Sequence, residues 1–380
     1  MDSWVQTHAE VIAARAEREM AALVAVSSPS GDHDGANEAI AVACALLPDG
    51  ADVERVPCSS PGYADDLLVR VHGTGTGRLL LLGHLDTVVA HADHATMRVN
   101  ADRLEGPGTI DMKGGDALAL GVLRALAESP ELYAQVALLL VVDEEWRTAP
   151  FTHAPRFAGF DACLCFEAGE QDAAGNEAVV VRRKAAATFE VEAHGVSAHS
   201  GVAPDDGRSA LLALCQVAQH LAAAHDPSGP DRLTVVPTIL HTGEALNVVP
   251  AGGSLICDLR ADRAEAFEPV LASLPTELDG VRISSAIGRL WPGMDSRDHV
   301  EELLAGASAR CGRTVVPAQR GGASDASHFA STIPLTVDGL GPRGGGAHAA
   351  DEHALRSSLE PRAQVALALA YEALVRPSVV

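Results

Sequence analysis

Aromatic side chains are scarce: Phe, Trp and Tyr together make up 3% of the 380 positions. The interior must therefore be filled mainly by Ala, Val and Leu. No apolar run approaches the roughly 18 residues that a membrane-spanning helix needs, so no such helix is expected. Positive charge is also short. Lys and Arg number 28 against 51 Asp and Glu, a formal net charge of −23. The one basic cluster, residues 182–184, is too small for a nucleic-acid footprint. Excess acid favours solubility and suits a site that attracts cations. The seven cysteines lack zinc-finger spacing. Cys163 and Cys165 alternate onto one strand face, and Cys257 lies inside an apolar run. An odd, scattered set of this kind reads as reduced thiols in a cytoplasmic protein. The N-terminal stretch MDSWVQTHAEVIAARAEREM is amphipathic and acidic rather than basic-then-apolar, so no secretory signal is expected.

What is present is a set of apolar runs that end in polar residues. In LLLLGHLDT, residues 79–87, a run reading as a strand buried on both faces stops at Gly83 and delivers His84 and Asp86. A period of two puts those two side chains on one side of the chain. Taken alone, a loop histidine beside a turn-forming aspartate would look the same. A second run, Val136 to Val142, ends in Asp143, Glu144 and Glu145. Three adjacent carboxylates repel one another unless cations neutralise them, although a solvated acidic turn is the plain alternative. A third strand, DACLCFEAGE, supplies Glu167. Asp111 sits in a Gly- and Pro-rich loop before an apolar helix that starts at Met112, where an N-cap role is also open.

Further elements follow from periodicity. Helices are expected over 3–26 and 37–47. Strands at 66–71 and 78–82 are expected to form a hairpin across GTGTG, which is flanked by two strands and so is no phosphate cradle. From Lys184 the texture changes to strict alternation in TFEVEAHG. A strand, a helix, strands at 233–240 and 253–259, a helix at 262–274 and a strand at 280–287 then give the split βαβ order. Residues 186–291 are therefore expected to be an inserted α+β domain. Residues 1–185 and 292–380, with helices at 298–311 and 359–375, form the α/β domain around it.

His84, Asp111, Glu144, Glu145, Glu167 and His348 mostly lie at the ends of apolar strands or in glycine-rich loops. Sequential strands of an α/β sheet end on the same edge, so these groups can converge. Two imidazoles and several carboxylates suit two divalent cations. Two dications bring +4; Asp111, Glu145 and Glu167 with one hydroxide balance them, leaving Glu144 as a general base.

GHLDT, GPGTIDMKGG, DEE, AHSGVAPDDGRSA, LNVVP, DLRA, GGASDASHF and GLGPRGGGAH follow one another here. Their order resembles that of the co-catalytic zinc aminoacylase/carboxypeptidase family, most of all its bacterial glutamate carboxypeptidase branch. The resemblance runs from about residue 27 to the C-terminus. Each motif is weak alone and their joint order is specific. It implies an α/β, zinc-peptidase-like three-layer catalytic domain with an inserted α+β (ferredoxin-like) lid and dimerisation domain. It implies two Zn2+ per chain (the ligands also accept Co2+ or Mn2+): His84 and Glu167 on one, Glu145 and His348 on the other, Asp111 bridging. It further implies that Asp86 orients His84, Glu144 moves the proton, His199 stabilises the oxyanion from a second subunit, and Asn247 and Arg260 bind substrate.

The expected function is a dinuclear zinc hydrolase cleaving an amide bond next to a carboxylate-bearing residue of a small peptide or N-acyl amino acid. It would act as a cytoplasmic homodimer with no nucleic-acid or membrane partner. An N-acyl-amino-acid deacylase is the alternative within the family; a catalytically silent ligand-binding protein is the alternative outside it. Three departures bear on the substrate: WRTAP follows DEE where the family commonly has x-G-S, Ala168 stands where proline is frequent, and Ala185 where glycine is usual.

Overall fold

The computed structural model describes residues 2–375. They form two compact units: residues 2–182, 295–320 and 324–375 make the first, and 183–294 with 321–323 the second.

The first unit opens with helix α1 (Ser3–Val24), whose Asp2 carboxylate accepts from Trp4 N and Val5 N. Its Val5, Ala9, Ile12, Ala16, Met20 and Leu23 recur at helical spacing and are all buried. Helix α2 (His33–Ala45) starts four residues before the expected Asn37, because Asp32 caps it through Gly35 N at 2.6 Å. Strand β1 (Asp52–Val56) was not expected; four of its five residues are exposed, so no apolar signal marks it. Strands β2 (Asp66–His72) and β3 (Gly77–His84) do not form the expected hairpin. Short strands β4 (Arg98–Asn100) and β5 (Arg103–Glu105) follow, then helix α3 (Lys113–Ala127) and strand β6 (Tyr133–Val141). Strand β6 inserts between the two presumed hairpin arms, antiparallel to β2 and parallel to β3. Strand β7 (Ala162–Cys165) lies on the other side of β3, also parallel. Strands β8 (Glu170–Gln171) and β9 (Glu177–Arg183) pair with each other.

The central strands are covered on both faces. Leu79 and Leu81 join one cluster with residues of α1 and α3, while Leu80 and Leu82 are equally buried on the opposite face. That is why β3 reads as a continuous apolar run.

The second unit holds β10 (Ala185–His194), helix α4 (Ala210–Ala222), β11 (Thr234–Thr242), β12 (Gly252–Ala261), helix α5 (Glu268–Ala272), β13 (Glu277–Leu278) and β14 (Val281–Trp291). Its sheet order is β11-β12-β10-β14-β13. The order of the four long strands is that of a ferredoxin-like sheet. Phe189, Val191 and Ala193 are buried and Glu190 and Glu192 exposed, as the alternation predicts. The helix expected over 262–274 shrinks to a 3-10 turn, Ala264–Phe267, followed by α5. Pro269 is tolerated only in a first turn and Pro275 turns Leu274 away from helix, so little room is left.

The chain returns to the first unit within β15 (Met294–Asp295), with helix α6 (Arg297–Cys311), β16 (Val315–Arg320), helix α7 (Ala326–Phe329), β17 (Leu335–Val337), β18 (Gly344–Gly345), β19 (His353–Leu355) and helix α8 (Leu359–Val375) following. Strand β17 pairs parallel to β7 and completes the sheet β1-β2-β6-β3-β7-β17. Among the described residues, no helix is long and apolar enough to cross a membrane.

Candidate metal centre

Parallel pairing brings the polar strand ends to one edge. His84, the last residue of β3, is in register with Val141 at the end of β6, and Leu82 with Cys165 at the end of β7. Glu144, Glu145 and Glu167 lie just past those ends. Asp111 precedes α3, but it is not the N-cap; Met112 is, with no side-chain cap. Instead its carboxylate spans two imidazoles. Oδ1 is 3.1 Å from His84 Nε2 and Oδ2 is 3.1 Å from His348 Nε2. His84 Nε2 is also 3.8 Å from Glu167 Oε1, and His348 Nε2 is 3.1 Å from Glu145 Oε1.

Two triads sharing Asp111 therefore form, His84–Asp111–Glu167 and Asp111–Glu145–His348, each with donor atoms within 4.8 Å of one another. Four-coordinate zinc with bonds near 2.0–2.1 Å places its ligand atoms about 3.3 Å apart. The close pairs at 3.1–3.8 Å match that spacing, so the donor set fits two small dications bridged by one carboxylate.

The electrostatics point the same way. The His348 pKa is raised to about 10 by hydrogen bonds to Asp111 and Glu145. Burial alone would lower that of His84, but contact with Asp111 and Asp86 lifts it well above the ordinary value. Burial would raise Asp111, yet the two imidazoles hold it well below the usual carboxylate range. The site thus draws positive charge onto the imidazoles. Glu144 differs. Burial, together with Asp325, Glu167 and Glu145, pushes its pKa well up. A carboxylate raised in this way is better matched to moving a proton near neutral pH.

Asp86 is almost fully buried. Its backbone carbonyl is 3.0 Å from His84 Nδ1, and its Oδ1 is 3.4 Å from the same nitrogen. Its carboxylate makes closer contacts elsewhere, accepting from Glu144 N at 3.2 Å, from Glu145 N at 3.0 Å and from Ser30 Oγ. So Asp86 holds the turn that carries both acids as well as neighbouring His84. Sequence reasoning missed three supports. Glu352 Oε1 accepts from Ile110 N and Asp111 N, fixing the bridging loop. The Lys113 ammonium is fully buried, 2.7 Å from Val26 O. Arg147 pairs with Asp143 and Asp325. Glu352 lies in the same loop as His348, a signal that was available; the other two are pairings across the fold.

The remaining candidates belong to the second unit. His199 is exposed, its Nδ1 accepting from Gly201 N. It bridges to Val248, and Ser200 N donates to Asn247 O at 3.0 Å, so His199 and Asn247 share one pair of loops. These loops continue the ladder beyond the Gly252 end of β12, through Gly195 N to Ala251 O and Val249 N to Ala198 O. Arg260 sits near the other end of β12, its Nε 3.0 Å from Asp258 Oδ2. Eight residue steps of strand run from Gly252 to Arg260, roughly 26 Å.

Residues 80–372 match the model of peptidase family M20/M25/M40. The chain is 27% identical over 357 residues to carboxypeptidase G2 of Pseudomonas sp. (strain RS-16), covering 90% of this chain and 84% of that one. It is 30% identical over 343 residues to the succinyl-diaminopimelate desuccinylase of Methylobacterium nodulans, covering 82% and 84%. Among solved structures it is similar to the M20 family metallo-carboxypeptidase Sso-CP2 of Sulfolobus solfataricus. That likeness has a TM-score of 0.72 at 14% identity and covers 99% of this chain and 100% of that one.

Proposed function

From the premise that the chain belongs to peptidase family M20/M25/M40, and so is a metal-dependent amide hydrolase, we propose a dinuclear zinc enzyme that cleaves the amide bond next to a carboxylate-bearing amino acid. The observation that carries this reading is the Asp111 carboxylate with one oxygen 3.1 Å from each of two imidazoles. His84, Asp111 and Glu167 would hold one cation; Asp111, Glu145 and His348 the other. When bound, such a pair lowers the pKa of a shared water and polarises the scissile carbonyl.

The chain's own groups do the rest. Glu144 takes the proton of the attacking water on a carboxylate oxygen and returns it to the leaving amine. Asp86 keeps Glu144 and Glu145 on one fixed turn. Arg260 offers a planar fork for a substrate carboxylate, and His199 a donor for the developing oxyanion. A substrate two residues long reaches only about 7 Å. It cannot touch His199 and Arg260 of the same chain if those lie as far apart as the two ends of β12, roughly 26 Å. That supports a homodimer in which one chain supplies His199 and Asn247 to a substrate held by the other's Arg260. Free thiols at all seven cysteines support a cytoplasmic setting.

Glu144→Gln is the test of the chemistry. It should abolish turnover on an acyl-glutamate while two zinc ions per chain remain, and an active variant would sink the assignment. Mixing inactive Glu144→Gln with inactive His199→Ala tests the shared site. Heterodimers should recover activity, to about a quarter of wild type if the subunits exchange freely. Activity that stays at the sum of the two variants would refute it. Relative rates on an acyl-glutamate, an acetyl-amino acid and a dipeptide separate a carboxypeptidase from a deacylase.

A further inference from the structure

We propose that Arg147 is a positioning residue for the reaction, clamping the turn that carries Glu144 and Glu145 by joining Asp143 to Asp325. This rests on the reading of Glu144 as the proton carrier.

Every residue from Asp143 to Thr148 is tied down from outside its own backbone. The Asp143 carboxylate accepts from Ser60 N and Ser60 Oγ on one oxygen and from Arg147 on the other. Glu144 N and Glu145 N donate to Asp86. Trp146 O accepts from Tyr63 Oη at 3.1 Å, and Thr148 N donates to Ser60 Oγ at 2.9 Å. Arg147 closes the turn. Its guanidinium reaches back four residues to Asp143 Oδ1, and forward across the fold to both Asp325 oxygens at 2.6 and 2.7 Å. Phe151 covers the guanidinium, 4.8 Å from its ring centre, and stacks on His328.

Arg147, Asp143 and Asp325 are all buried. Burial would raise the Asp325 pKa, but the Arg147 charge and its hydrogen bonds overcome that and hold it below the usual range. A surface ion pair of this kind would contribute little; a buried fork held between two carboxylates fixes direction. The consequence is local. Between Asp143 and Arg147 only three residues remain, and two of them are the acids at the centre of the chemistry. Their backbone is locked at both ends, which leaves the carboxylates only side-chain freedom. Lysine cannot replace this fork, because an ammonium is a point charge that cannot grip two carboxylates in one plane.

The closing experiment compares Arg147→Lys and the milder Ser60→Ala in the full-length, zinc-loaded enzyme. Ser60→Ala removes one hydroxyl from the Asp143 side of the clamp and leaves the ion triad in place. The readouts are kcat, KM, metal content and Tm. Both variants should keep two zinc ions and a KM within about threefold of wild type. The kcat should fall about 10-fold in Ser60→Ala and about 100-fold in Arg147→Lys, as loosening of a supporting contact does. Should Arg147→Lys fail to fold, Ser60→Ala carries the test alone. A kcat within twofold of wild type in the folded, zinc-loaded protein overturns the clamp, as does a loss that excess zinc restores. Glu144→Gln run in parallel separates the two ideas. If it is inactive while Arg147→Lys is fully active, only the clamp fails. If it is active, the role of Glu144 itself fails.

Discussion

Gly115→Ala should damage the metal centre without touching any metal-binding side chain. A Cβ at Gly115 would lie 1.9 Å from Phe166 O and 2.9 Å from Phe166 C, both backbone atoms. Real Cβ contacts essentially never fall below 3.0 Å, so α3 and the end of β7 must separate by 1.1 Å or more (3.0 − 1.9). The displaced carbonyl belongs to the residue just before Glu167, whose Oε1 is 3.8 Å from His84 Nε2. A shift of that size is a large fraction of the separation the site must hold. Overpacking of this kind costs about 3 kcal/mol, a Tm lower by roughly 4–6 °C for a unit of this size. Misplacement by about 1 Å costs about 100-fold in kcat/KM. Gly121→Ala, on the same helix, is the control. Its Cβ would meet Ile12 Cγ2 at 2.8 Å and Cγ1 at 2.9 Å, side-chain atoms of α1 rather than the backbone beside a candidate ligand, and alanine favours helix by about 1 kcal/mol. That variant should keep wild-type kcat/KM. The assay is thermal unfolding with steady-state kinetics on both proteins. Equal behaviour of the two variants would refute the reasoning, because it would mean that backbone and side-chain obstacles are equivalent here.

Three further outcomes are expected. Asp86→Asn should cut kcat by about 10–100-fold, since a carboxamide cannot accept from both Glu144 N and Glu145 N as the carboxylate does; an unchanged kcat would show that the turn holds itself. Removing the metals with a chelator should lower Tm, and zinc added back at 100 times its dissociation constant should restore about 2.7 kcal/mol; a chelator-insensitive Tm would exclude a folded-state cation site. Burial holds His328 at a pKa of about 4, below its ordinary 6.5. The unfolded chain therefore binds more protons in that window, and stability present above pH 6.5 is lost as pH falls toward 4. That amounts to roughly 3 kcal/mol. His328→Phe, which can still stack on Phe151, should lose about that much less between pH 7 and pH 4 in chemical denaturation, and an identical pH dependence would refute it.

Much of the centre was legible because it sits at strand ends. A strand buried on both faces announces itself as an unbroken apolar run, and its first polar residue marks the sheet edge. His84, Glu145 and Glu167, which fall in the two candidate triads, were picked out that way. Strand pairing was not legible. The expected β2–β3 hairpin failed because β6, more than 40 residues further on, inserts between them, and a turn signal says nothing about which third strand will compete. Strand β1 escaped notice because it is exposed and has no apolar pattern. The Arg147–Asp325 pair spans 178 positions, and no local period can encode such a contact. The sequence did mark the place, however, since Arg147 falls where the chain departs from the family's usual residues after DEE.

The position of His348 has a consequence for how the protein is made. It meets Glu145 across 203 positions of chain. At about 5–20 residues per second, a ribosome needs roughly 10–40 s to travel that distance. For that interval the nascent chain carries Glu145 without the histidine it meets. The second unit must also be synthesised before α8 can complete the core of the first. If the cluster holds cations as proposed, uptake at the full site is therefore a late event in biosynthesis. A stalled or truncated chain ending before residue 348 would be left with excess carboxylate and nothing to close it.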